Sequence, residues 1–192
     1  MKREAIKTNI NEIVDYWFKR IDEDELSVDA AEAHERCWRC GCQRNLQRCH
    51  IVPASLGGKD EASNLVLLCK RCHADGPNVA DEEIMWDWIK SYRVPFYDTF
   101  WSILGQKEYE FIYKKTVVQE LEDLGIKEPD EIKKKFMEIN KKLKHKAGVH
   151  FGQPYFNTAT VAGLYRMFLK ELANELGKEI SCRKTAYSWW IK

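Results

Sequence analysis

The chain has 192 residues, 44% hydrophobic and 32% charged, with a formal net charge of +1. This balance excludes a disordered polyelectrolyte, and the length supports a buried core. The near-neutral total excludes a uniformly basic nucleic-acid coat, and no apolar run approaches the roughly 20 residues that span a bilayer. The first residues, MKREAIKTNINEIVDYW, lack the apolar core of a signal peptide, so a cytoplasmic protein with no membrane partner is expected. Charge is nonetheless uneven. Residues 1–35 carry five Lys/Arg against ten Asp/Glu, whereas residues 127–146 carry eight Lys against four Asp/Glu. Such asymmetry suits a partner that contacts one face.

In chain order, residues 9–22 place Ile10, Ile13, Val14, Trp17, Phe18 and Ile21 at helical spacing, which predicts an amphipathic helix. After the acidic DEDEL, VDAAEAHER predicts a second short helix. CHIVPAS and NLVLL then predict two short strands joined through a turn at Gly57–Asp60. CKRCHAD follows as a helix that Gly76-Pro77 ends. Asp81 caps a predicted helix DEEIMWDWIKSYR, with Ile84, Trp88 and either Met85 or Ile89 turned inward. Residues 95–106 read as an ordered connection anchored by Phe96, Tyr97, Phe100 and Trp101. KEYEFIYKKTVVQELEDL, residues 107–124, predicts one helix stopped at Gly125. Another opens at Pro129-Asp130 and ends near Gly148, HFGQPYFN is loop, and Thr158 opens a last helix that Gly177 stops. That helix holds Val161, Leu164, Tyr165, Phe168, Leu169 and Leu172 in register for a core. The tail, with Trp189 and Trp190, is expected to pack on the body or on a second copy in a homodimer.

Six of the seven cysteines fall between Cys37 and Cys72, and Cys182 stands apart. Without a secretion signal, metal ligation is the better reading than disulfides. Cys37/Cys40 and Cys69/Cys72 are two Cys-x-x-Cys pairs, each able to supply two thiolates from a tight turn. Together they predict one structural zinc ion, closed to chemistry because four thiolates leave no open position. Gly41 suits the first turn, while Cys42 and Cys49 have no Cys-x-x-Cys partner of their own. A hairpin with one short helix buries little apolar surface, so zinc would supply the missing folding free energy.

Between and just after these pairs stand His50, Asn64 and His73. Phosphodiester hydrolysis needs a base for water, a cation at the phosphate and rigid orientation of both. An imidazole suits the base at neutral pH, which points to His50 at the end of the first strand. Asn64, at the turn into the second strand, can bridge the hairpin and hold the His50 loop. His73, on the following helix, can bring a divalent metal towards His50.

These residues, in CHIVPASLGG, SNLVLLC and CKRCH, closely resemble the HNH nuclease family in its zinc-stabilised branch. The resemblance implies a ββα-metal fold and an endonuclease acting on DNA. It implies His50 as general base, Asn64 as orienting residue and His73 as ligand of a catalytic Mg²⁺ or Mn²⁺, with 5′-phosphate and 3′-hydroxyl products. One position departs: the family usually has Asp, or sometimes His, just before the base, where this chain has Cys49. A thiol is a poor ligand for Mg²⁺. Three readings stay open: the metal is held by His73, phosphate and water; Cys49 ligates a softer ion; or the site is catalytically weak. Asp75 and Asn78 are alternative oxygen donors.

The expected architecture is therefore α+β, a zinc-bound ββα-metal module embedded in a mainly helical protein. Residues 1–35 form a helical segment, 36–80 the HNH module, and 81–192 a helical region for substrate binding or dimerisation. Double-stranded DNA is the expected partner. Arg44, Arg48, Lys59, Lys70 and Arg71 flank the module's active residues, and Lys134, Lys141 and Lys142 belong to a lysine-rich helix face able to neutralise phosphates. The rival readings are a zinc-stabilised DNA-binding protein without catalysis and a nuclease specific for RNA or branched structures.

Overall fold

The computed structural model describes residues 6–143 and 145–180; Lys144, Cys182 and the Trp189-Trp190 tail lie outside them. The described elements, in order, are α1 (Ile10–Trp17), β1 (Leu46–His50), β2 (Leu65–Cys69), α2 (Lys70–Asp75), α3 (Glu82–Lys90), α4 (Phe100–Tyr113), α5 (Val117–Asp123), α6 (Pro129–Leu143) and α7 (Thr158–Glu175). This is an α+β chain, helical apart from one antiparallel hairpin. None of these helices is long and apolar enough to cross a membrane. The chain divides into two units, Met1–Trp101 and Ser102–Lys192, with the boundary just inside α4.

The first unit is built around β2. Its sequence, LVLLC, is apolar throughout, and every residue of it is buried. Such a run suits a strand covered on both faces, whereas β1, LQRCH, buries only Cys49 fully. The two pair from Leu46↔Cys69 to His50↔Leu65. The outer edge of β2 would leave carbonyls unpaired, and two tryptophan residues close it. The Trp17 indole N–H donates to Leu65 O at 2.8 Å, and the Trp38 backbone N–H donates to Leu67 O at 3.1 Å. Trp17 thereby docks α1, whose Ile13 and Val14 are buried. On α3, Met85 and Ile89 turn inward as periodicity predicts, but Ile84 is exposed. The inward stripe runs through Met85 and Ile89, and Ile84 falls beside it.

The helix predicted over 28–36 is a series of turns. Arg36 is drawn into an extended bridge with Gln43, and the buried Trp38 indole takes the Ala33 carbonyl at 3.0 Å. These tertiary bonds leave no room for a continued helical ladder. The aromatic connection also differs, because α4 already begins at Phe100.

The second unit packs Tyr109, Leu121, Ile126, Ile139, Leu143, Phe168 and Leu172 into one core. The single helix expected over 107–124 is two. Lys114 adopts a left-handed φ of 58°, and Thr116 starts α5 through a capping box with Gln119. The Thr-x-x-Gln spacing was present in the sequence, and it outcompeted an unbroken helix. Inside this unit Glu120 is buried against Arg166 Nη1 at 3.1 Å and Tyr109 Oη at 3.2 Å. Arg166 Nη1 also donates to Tyr109 Oη at 3.1 Å, so the buried charges are mutually satisfied.

Candidate functional site

The two knuckles converge on one point. Cys37, Cys40, Cys69 and Cys72 are buried, and their sulfur atoms all lie within 4.8 Å of one another. Cys40 Sγ and Cys69 Sγ are 3.9 Å apart. A tetrahedral zinc site with Zn–S bonds of about 2.3 Å has S···S edges of about 3.8 Å, so the cluster fits that ion. Hydrogen bonds from Cys37, Cys40 and Cys72 push the Cys69 thiol towards the thiolate. Cys69 also caps α2, its sulfur accepting the Cys72 N–H at 3.5 Å. The first knuckle turns at Gly41, where φ is +64° and a Cβ would meet Ser27 O at 2.7 Å. Cys42 is buried nearby but is not part of the four-sulfur cluster.

Arg39, inside the first knuckle, was not legible as functional from sequence. Its guanidinium sits 3.9 Å from the Trp88 ring and 4.7 Å from that of Phe100. Its Nη1 donates to Cys72 Sγ at 3.8 Å. A buried cation beside four thiols offsets the negative charge that metal ligation would gather there. Nothing in the spacing of CWRC foretells that α3 and α4 supply the aromatic walls.

Asn64 performs the bridging expected of it. Its Oδ1 accepts the Val52 N–H at 2.8 Å, and its Nδ2 donates to Val52 O at 3.0 Å and Lys59 O at 2.9 Å. Its own carbonyl accepts the Ile51 N–H at 2.8 Å. Four bonds therefore tie the loop after His50 to the start of β2. The loop closes this tightly only because position 58 has no side chain. A Cβ there would lie 1.7 Å from Val52 O and 2.7 Å from Asn64 Nδ2. Gly58→Ala is expected to cost about 2–3 kcal/mol, since neither backbone nor clamp can yield without losing the Asn64 bonds. Thermal unfolding measures this; a melting temperature within about a degree of wild type would show that the loop does not need the clamp.

His50 and His73 line one open groove of about 400 Å³, together with Gln47, Cys49, Lys70 and Asn78. His50 is half-buried at the end of β1, and His73 is half-buried on α2. His73 Nδ1 is 2.9 Å from Gln47 Oε1. With that carbonyl accepting, Nδ1 carries the proton and Nε2 carries the lone pair. Gln47 is a second contributor that sequence reasoning missed, because the β1–α2 approach that makes the pair is tertiary. Asn78 lines the groove and Asp75 does not.

Cys49 also borders the groove, yet it is only 4% exposed. Its Sγ lies 3.6 Å from the His50 carbonyl oxygen, and burial pushes the thiol up to about 12. Position 49 thus presents a neutral thiol rather than an anionic donor.

The basic residues proposed to meet phosphate divide. Arg44, Lys59 and Lys70 are exposed, and Lys70 lines the groove. Arg48 is half-buried and donates to Thr8 O at 2.9 Å. Arg71 corrects the expectation. It is 8% exposed, with its guanidinium 3.1 Å from the centre of the Trp101 ring, because the α2 face that carries it packs inward. In the second unit, Lys134 and Lys141 are exposed on α6, while Lys142 pairs with Glu175 at 3.4 Å.

Residues 37–87 match the HNH endonuclease family. The matched stretch takes in both knuckles, the hairpin, α2 and most of α3, and it identifies this part of the chain as an HNH module. No curated protein and no solved structure matches the chain significantly.

Proposed function

We propose that the chain is a metal-dependent endonuclease that hydrolyses phosphodiester bonds of double-stranded DNA in the groove between the end of β1 and α2. One observation carries this reading: His50 and His73 line a single groove, with the Asn64 clamp directly behind the His50 loop. His50 takes a proton from a water molecule as that water's oxygen attacks phosphorus; the P–O3′ bond breaks, the departing 3′-oxygen takes a proton from solvent to become a hydroxyl, and the phosphate stays on the 5′ end of the other product. The Asn64 bonds fix where that imidazole stands. His73 Nε2 and the Asn78 side-chain oxygen are the donors suited to a Mg²⁺ or Mn²⁺ ion, with Gln47 fixing the His73 tautomer. When bound, such an ion supplies electrostatic stabilisation of the charged phosphate. Lys70 adds positive charge at the groove edge. The cysteine cluster holds one structural zinc and takes no part in the chemistry.

The test is cleavage of a supercoiled plasmid. Conversion to nicked or linear DNA is expected with Mg²⁺ or Mn²⁺, loss of it with brief EDTA treatment, and recovery when Mg²⁺ or Mn²⁺ is returned. Recovery by these ions distinguishes a catalytic requirement from damage to the thiolate cluster, which oxygen-preferring Mg²⁺ does not repair. Parallel reactions on RNA and branched DNA read substrate class. The protonated thiol at Cys49 favours one rival, a DNA-binding module without catalysis. DNA binding with no cleavage under any divalent ion would establish that rival instead.

A further inference from the structure

A second groove, of about 660 Å³ and lined by apolar side chains (Ile6, Ile10, Leu46) as well as polar ones, adjoins the first. Gln47 and His73 line both, so the two grooves neighbour each other at the β1–α2 contact. The outer wall of the second groove comes from the segment just before α1, with Lys7 and Asn9, and its floor includes Arg48 of β1. Lys7 is exposed, and no carboxylate lines the groove among the described residues. That is notable because residues 1–35 are acidic as a whole.

The wall is held in place by bonds remote from α1 in sequence. The Lys7 N–H donates to Asp60 Oδ2 at 2.6 Å, and Thr8 Oγ1 donates to Asp60 Oδ1 at 2.8 Å and to Asp60 O at 3.1 Å. Arg48 Nη1 donates to Thr8 O at 2.9 Å from the other side. The donors on Lys7 and Thr8 hold the Asp60 carboxyl below its ordinary range, so the anchor is charged at neutral pH. Asp60 belongs to the same loop that the Asn64 clamp fixes. One loop therefore positions both His50 and the Lys7 strap.

We infer that this second groove is a subsite for the nucleic-acid backbone beside the scissile phosphate, with Lys7 and Arg48 as its phosphate-facing cations. The inference rests on the nuclease reading for which phosphate is cut, but its chemistry needs only an extended polyanion. A strand with one phosphate between His50 and His73 continues past His73 and Gln47, where the next groove opens. Its following phosphates then meet Lys7 on one side and Arg48 on the other. Contacts of this kind position the strand without reading its bases.

Fluorescence anisotropy with a labelled duplex of about 20 base pairs tests this, using full-length protein carrying His50→Ala so that no cleavage intervenes. Each phosphate contact contributes about −0.9 to the slope of log K against log salt, so adding Lys7→Ala should reduce the slope by about one, equally for unrelated sequences. Asp60→Ala releases the strap and should reproduce the loss. The double variant should lose no more than either alone, because both act through one presented lysine. An unchanged slope in Lys7→Ala, with circular dichroism unchanged, overturns the subsite, as does full additivity with Asp60→Ala. If wild-type protein cuts plasmid but the slope is unmoved, the subsite fails and the nuclease reading stands. If the slope falls as expected but wild-type protein cuts nothing under any divalent ion, the subsite holds and the nuclease reading fails.

Discussion

Cys69→Ser is expected to release the structural metal and unfold the hairpin module, so that cleavage is lost together with the fold. Cys69 ends β2, supplies one of four clustered sulfur atoms and caps α2 with the same sulfur. A serine oxygen preserves part of the cap but not a thiolate of matching reach and softness. Binding energies of about 10–16 kcal/mol for structural zinc in small modules are folding free energy, and losing one ligand forfeits several of these. Metal analysis should give near-stoichiometric zinc in wild type and little in the variant. Near-ultraviolet circular dichroism should lose the signal of the buried Trp38, which the first knuckle carries. Cys42→Ser is the control, since Cys42 is buried close by but stands outside the cluster. Full zinc content and an unchanged melting temperature in Cys69→Ser would show that Cys69 ligates no structural metal.

His50→Ala should have the opposite signature, with chemistry lost and fold kept. His50 is half-buried at the mouth of the groove, and the strand that carries it is held by backbone pairing to Leu65. The Asn64 side-chain bonds to Val52 and Lys59 are to backbone atoms, so they survive the substitution. A positioned base contributes about 10²–10⁴-fold, which sets the expected fall in single-turnover cleavage. DNA affinity and melting temperature should stay near wild type, and added imidazole should restore part of the rate. A variant that cuts at the wild-type rate would mean that another group activates water.

The two substitutions separate the scaffold from the chemistry, and the sequence already held that separation. Cys-x-x-Cys spacing identifies a metal cluster because two turns must each present two sulfur atoms, a demand local enough to appear as a motif. The placement of His50, Asn64 and His73 was legible for a similar reason: strand end, turn and helix follow one another within 24 residues, from His50 to His73. NLVLL announced β2, and the helices α6 and α7 appeared through their periodicity and end signals, whereas the first strand, expected over CHIVPAS, ends at His50 because Ile51 and Val52 bond Asn64 instead of continuing the ladder.

Tertiary structure decided what spacing cannot carry. Arg71 looked like a phosphate contact until α2 turned it onto Trp101, and Arg39 looked unremarkable until Trp88, Phe100 and Cys72 surrounded it. The partnership of Gln47 with His73 spans 26 residues, and that of Thr8 with Asp60 spans 52. The turns over 28–36 likewise arose because the Arg36–Gln43 bridge and the Trp38 indole claimed the backbone that a helix would have used. Sequence thus determined which residue types could do chemistry and which short segments could present them. Only the folded chain decided which cations stay in water, since that depends on aromatic and backbone surfaces brought from distant positions, whose pairing leaves no periodic trace in the sequence.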